Sequence, residues 1–288
     1  MQKVLAVTNS LLKPFRLYVT PQSSMTLHET SESSLDAIVF QLSRFESDDV
    51  LAEVFLQAGR GLPQFSWGVS GTHPFIMAAK KGLEYQSFGG ARAAVTASLA
   101  DFYASYQPGS LHEVFWEPVD RAEKLSDYPA WSVMMPWQGG DHIDSWMQKV
   151  SETVRKEGRR GKGRLTIADG WSWSGPVSPE KLSLEAKRLT RTLWAIKKRG
   201  YRRHDGFDGD IRAIVLVDSG EDWVWQSYAG QHRAAVLSAL GVEQIPVRLS
   251  GLVRVNDVLA WPQVTNGLYT ADQALHIFNR VFDAGLRT

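Results

Sequence analysis

The sequence predicts an α/β fold, and three observations carry that prediction. Residues 223–249, WVWQSYAGQHRAAVLSALGVEQIPVRL, read as strand, tight turn, helix and strand in immediate succession. Leu35 to Phe45 and Asp141 to Arg155 space their apolar residues three and four apart, as amphipathic helices do. Between such segments lie short β-branched runs, of which Ile211 to Leu216 is the clearest. A chain of 288 residues suits one large domain or two modest ones, and 43% hydrophobic residues suffice for a substantial core.

Taken in order, Val4 to Val7 and Phe15 to Val19 are expected to open the chain as strands. Leu35, Ile38, Val39, Leu42 and Phe45 define a first helix, and Asp48 to Gln57 reads as a second, short one. Residues 61–75 form a Gly/Pro-rich loop, helices follow at 75–82 and 91–105, and Pro108-Gly109 breaks the chain. Glu113 to Trp116 and Trp131 to Met135 are strand candidates. The helix from Asp141 carries Ile143, Trp146, Met147 and Val150 on one face. Gly158 to Arg164 is basic and glycine-rich, and reads either as a linker or as an anion-contacting loop.

A helix is expected from Leu184 to Lys198, then the strand at 211–216, a strand from Trp223 to Tyr228 and a helix from Arg233 to Leu240. Gly241 stands where a helix C-terminal cap belongs, and Ile245-Pro246-Val247 starts the next strand. The tail, Val255 to Leu286, reads as two short helices. This divides the chain into an N-terminal α/β region (1–110), a connecting region (111–170) and a third region with a helical tail (171–288).

Composition narrows the function. A net charge of +1 gives no global electrostatic case for nucleic acid, so strong duplex DNA binding is not expected. No apolar run approaches the roughly 18 residues of a membrane span. The first residues make a poor signal peptide, and the absence of cysteine fits a reducing compartment, so a cytoplasmic location is expected. Tryptophan is abundant, with 11 residues, some in close pairs such as Trp171/Trp173 and Trp223/Trp225. These are either alternating strand positions in a core or the lining of a groove that stacks on a sugar or base. Neither His204 to Asp210, nor Asp141-His142, nor Gly71 to Pro74 has a spacing that identifies a metal site, and no metal ligand is assigned.

The candidate chemistry is at the turn Ala229-Gly230-Gln231-His232-Arg233. A helix N-terminus presents unpaired N–H groups and a partial positive charge, which suits phosphate. Gln231, His232 and Arg233 add donors there. An aromatic strand, a Gly-x-His-Arg turn, Ala-Ala, and after the helix Gly and Ile-Pro resemble the ParB/sulfiredoxin superfamily. Pro179 to Leu182 as an entry, the helix to Lys198, Gly200-Tyr201 and the strand at 211–216 extend the resemblance over roughly residues 175–250. It implies a ParB/sulfiredoxin-like nucleotide-binding domain, with the N-terminal α/β region and the helical tail added to it.

Sulfiredoxin repair needs a cysteine in the turn, and Gln231 stands at that position, so sulfinate repair is excluded. The resemblance leaves two activities. One is phosphotransfer from ATP or another nucleotide, with Mg²⁺, to a small hydroxylated acceptor, for which a sugar is attractive given the tryptophans. The other is a nucleotide-switched binding protein. In either, Gly230, Gln231, His232 and Arg233 would hold phosphate, helped by the basic face of the 184–198 helix. One alignment of that helix selects Arg188 and Arg191, another Lys187 and Thr190. Glu185 and then Glu180 are candidates for the base that accepts the acceptor's proton, with His232 as a further catalytic candidate.

Overall fold

The computed structural model describes residues 28–30, 34–44, 49–61, 65–69, 71, 73–116, 123–140, 142–161, 163–203 and 209–284. The two opening strands, and residues 204–208 of the acidic segment, lie outside the described residues. The fold is mixed α/β: ten helices among the described residues and one open, mixed sheet. The strands are β1 (His28–Thr30), β2 (Val50–Phe55), β3 (Gly59–Arg60), β4 (Arg212–Val217), β5 (Trp223–Ala229) and β6 (Gln244–Arg254). Their order is β1-β2-β6-β4-β5-β3, so strands from the first sixty residues form both edges around a centre built from the last eighty or so. β4 runs antiparallel to β5 and parallel to β6, and β2 runs antiparallel to β6.

Strand alternation splits the interior into two cores. Ala213, Val215 and Val217 of β4 face one core, while Leu216 and Ile214 face the other. The first core takes its helical side from α2 (Pro74–Leu83), α3 (Phe88–Ser105), α7 (Pro179–Arg199) and α8 (Gln231–Ala239). The second takes it from α4 (Leu111–Phe115), α6 (Ile143–Arg160) and α10 (Ala271–Phe282). α1 (Leu35–Arg44) adds Ile38 to the first core, and α5 (Glu123–Ser126) and α9 (Pro262–Thr265) add Leu125 and Val264 to the second.

The helix starts obey local capping chemistry. Ser178 caps α7 by accepting from the Lys181 N–H at 3.1 Å, and Pro179 supplies the preset φ of a first helical residue. Gly200, at φ +72°, closes the helix. Thr270 and Gln273 form a reciprocal capping box on α10.

Three sequence-based assignments need correction. Asp48 to Gln57 is not a helix: Val50–Phe55 is β2, paired to β6 on one side and β1 on the other, followed by one 3₁₀ turn. Its β-branched residues and its pairing on both sides outweigh a short helical spacing. Glu113 to Trp116 is not a strand but part of α4, whose cap Ser110 accepts from the Glu113 N–H. Ser-x-x-Glu is the capping signature that the apolar run obscured. Trp131 to Met135 forms a 3₁₀ turn at 130–132 and an extended stretch without a sheet partner, held between Pro129 and Pro136. The basic segment at 158–164 begins as the last turn of α6.

Candidate functional site

The site is built where α7 crosses the N-terminus of α8. Two residues of α7 one turn apart, Lys181 and Glu185, both point inward and are 0% and 1% exposed. Lys181 Nζ lies 2.7 Å from Oε2 of Glu157, on α6, and 3.0 Å from Oε1 of Glu185. Arg188 Nη1 donates to Oε1 of Glu157 at 2.9 Å and lies 3.6 Å from Oε1 of Glu185. The Ser172 hydroxyl donates to the same Glu185 oxygen at 3.2 Å. Two cations and two carboxylates thus balance each other, with Lys181 and Glu185 enclosed and Arg188 reaching the surface, and pairing of this kind is the condition under which buried charge is tolerated.

Electrostatics follow from this packing. Burial works against the Glu185 carboxylate, but His232, Lys181 and Arg188 outweigh it and hold its pKa far below the ordinary carboxylate range. Burial likewise opposes the Lys181 charge, and Glu185 and Glu157 more than compensate, raising its pKa. Tyr103, whose hydroxyl donates to the Ser172 carbonyl at 3.1 Å, has its pKa raised well above normal by burial and by the two carboxylates.

The turn 229–233 adds the second half of the site. Gly230 adopts φ +83°, and a Cβ there would meet the Ile211 backbone at 2.8 Å, so both conformation and space call for glycine. Having no side chain, Gly230 leaves the start of α8 uncapped; Arg233 N and Ala234 N bond its carbonyl, while the N–H groups of Gln231 and His232 precede the helical ladder. His232 turns inward. Its Nε2 lies 3.1 Å from Oε2 of Glu185, a charge contact off the line of a hydrogen bond, and its ring stacks on Phe75 with centroids 5.2 Å apart. Nδ1 is therefore the ring nitrogen turned away from Glu185.

His73 lies under the same wall. Its Nδ1 accepts from the Phe75 N–H at 3.2 Å and caps α2, and its ring stacks on Trp67 at 4.0 Å. Burial, then the nearby His232, lowers its pKa to about 3, so it is neutral and carries its proton on the buried Nε2.

Of the sequence-based candidates, the structure brings together Glu185, Arg188 and His232. Glu180 and Lys187 instead line a separate cavity of about 690 Å³ with Arg92 and Arg164. Arg191 is exposed on another face of α7, and Thr190 is buried, its hydroxyl donating to the Ala186 carbonyl. Gln231 and Arg233 are half-buried at the start of α8, with Arg233 near enough to Tyr201 to influence its ionisation. Glu157, Lys181, Ser172, Tyr103 and His73 escaped the sequence reading as site residues. Lys181 and Glu185 at i and i+4 were a readable signal; Glu157, on another helix, had none. Among the described residues no group of three or more His, Cys, Asp or Glu side chains has metal-binding geometry.

A cavity of about 690 Å³ opens next to the residues that precede the turn. Trp137, Trp146, Trp171 and Trp173 form its walls, with Gln226 and Tyr228 of β5. Of the two tryptophan pairs, Trp171/Trp173 lines this cavity, whereas Trp225 is fully buried in the first core and Trp223 packs against it. No helix among the described residues is long and apolar enough to cross a membrane. Comparison with protein-family models, with curated proteins and with solved structures finds no match to this chain.

Proposed function

We propose that the chain is a nucleotide-dependent phosphotransferase acting on a small hydroxylated acceptor. The observation that carries the reading is the contact of His232, at the open N-terminus of α8, with a buried, ionised Glu185. The order β4, β5, turn, α8, β6 is also that expected of a ParB/sulfiredoxin-like nucleotide-binding unit, which supports the resemblance as a proposal.

Glu185, at 1% exposure, is out of reach of an acceptor hydroxyl and acts as a positioning residue. It orients His232 and stabilises the imidazolium. His232 Nδ1 takes the acceptor's proton as its oxygen forms a bond to the terminal phosphorus of the nucleotide. The bond from that phosphorus to the bridging oxygen breaks, and the leaving phosphate's charge is met by the α8 N-terminus and Arg233. Both carboxylates of the cluster are engaged by Lys181, Arg188 and His232, so the cluster leaves none of them over for a cation. Mg²⁺ would arrive on the nucleotide phosphates and would supply neutralisation of their charge.

A second reading, a nucleotide-switched binding protein, is favoured by the neutralisation of Lys181 and Arg188 within the cluster. Calorimetry with ATP, ADP, CTP and GTP in Mg²⁺, followed by transfer assays on sugars and amino acids, separates the two. Phosphotransfer requires that one nucleotide bind, that Arg233→Ala weaken it by about 1.5–3 kcal/mol, and that Glu185→Gln lower turnover by about 10²–10⁴ at retained nucleotide affinity. Binding without transfer selects the second reading. The absence of any nucleotide binding sinks both.

A further inference from the structure

From the aromatic cavity beside β5, we infer a pyranoside-binding site separate from the phosphotransfer site, with the sugar seated on Trp171 and Trp173. It goes beyond the reading above and stands without it. The cavity, at about 690 Å³, is the size of small-molecule sites. Two of its indoles are fixed through their N–H groups: Trp137 donates to Gln226 Oε1 at 3.2 Å and Trp146 to the Val133 carbonyl at 2.9 Å. Their polar edges are spent, and flat apolar surface is what they add to the walls.

The geometry discriminates between kinds of ring. Trp171 and Trp173 have centroids 6.1 Å apart and planes tilted by 47°. That pair is not a parallel slot for a flat nucleobase. A puckered pyranose, with C–H groups on both faces, can rest against two tilted indoles. The polar groups suit hydroxyls: with Oε1 used by Trp137, the Gln226 amide nitrogen is left to donate, and the Thr153 hydroxyl, donating to the Lys149 carbonyl, retains acceptor capacity.

The cavity lies on the second-core face of the sheet, against Ile214 and Val253, whereas His232 stacks on Phe75 of the first core. Trp171 and Trp173 turn to the cavity, while Ser172 between them donates to Glu185. At the other wall, Tyr228 lies two residues before Gly230 and the α8 N-terminus.

The test is a tryptophan-fluorescence titration of the full chain with methyl glucopyranosides, galactopyranosides and mannopyranosides, and in parallel with adenosine and cytidine. At least one pyranoside should bind saturably. Its affinity should fall about tenfold in Trp173→Ala, the scale of a lost aromatic partner, and hold within about twofold in His232→Gln. Tyr228→Ala, at an exposed position (51%), gives a second variant free of core damage and should weaken the same pyranoside. If no pyranoside binds, if binding ignores both variants, or if a nucleoside occupies the cavity instead, the inference is overturned. Because glycoside binding is read without nucleotide, its loss is distinct from a failure of phosphotransfer, which would leave the titration unchanged.

Discussion

The two faces of the central sheet are held by different means. On one, α7 and α8 enclose a neutralised charge cluster: Lys181, Glu157, Glu185, Arg188 and His232. On the other, Phe115, Trp137, Trp261 and Phe278 pack as a nearly pure aromatic and aliphatic core, with Tyr269 donating to the Met134 carbonyl at 2.7 Å. Buried charge adds little net stability over a well-packed apolar core of equal volume. A fold that needed only stability would have repeated the second face on the first. What the cluster does in this structure is hold the side chains of Arg188 and His232 in place.

The largest expected effects set the faces against each other. Lys181→Met leaves two carboxylates without their main partner and should cost about 3–5 kcal/mol. Phe278→Ala should cost a similar amount, about 3–5 kcal/mol, through the cavity it leaves. Denaturant unfolding distinguishes their origins. Glu185→Gln should recover part of the Lys181→Met loss, because the orphaned charge is gone, yet add independently to Phe278→Ala. Equal additivity in both pairs would mean that the cluster is not a unit.

A smaller effect concerns acid. His73 has a folded pKa of about 3 against an ordinary value near 6.5, so the folded state resists taking up its proton. Its contribution is complete above pH about 6.5 and is lost as pH falls toward about 3. Stability should therefore decline from about pH 6.5 downward, and His73→Phe should flatten that decline between about pH 6.5 and about 5.5, above the range in which carboxylates of the unfolded chain begin to titrate. A slope unchanged by the substitution would place the acid sensitivity elsewhere. The smallest effect belongs to the apolar face: Tyr269→Phe, which removes one buried hydrogen bond, should cost about 1 kcal/mol with no pH dependence at neutral pH.

The same contrast governs what could be read from sequence. Much of the third region was legible because its signals are local: Gly200 ends α7, Gly230 and Gly241 bracket α8, and β-branched runs mark β4 and β6, whereas the Ser178-Pro179 start of α7 lies ahead of the expected start at Leu184. The sheet order was not legible, since nothing local in Val50–Phe55 says that its partner is Gln244–Leu249. The site divided along the same line. Glu185 and His232 were singled out in the sequence, and the structure brings them within 3.1 Å of each other. Their link to Lys181 and Glu157 was not legible, since Glu157 reaches the cluster only through the path of α6.

The strand order also bears on how the molecule is made. Phe55 closes β2, and its carbonyl accepts from the Trp225 indole 170 residues further along the chain. Gly59 lies flush against that same ring, where a Cβ would sit 2.2 Å away. During synthesis, then, β2 and β3 leave the ribosome long before β5 and β6 exist to receive them. Such distant closures make folding slow and keep strand edges uncovered in the meantime. A nascent chain stalled before residue 254 would expose β2 along the edge that β6 later covers, and that interval, rather than the finished fold, is when this protein is most exposed to aggregation and to chaperones.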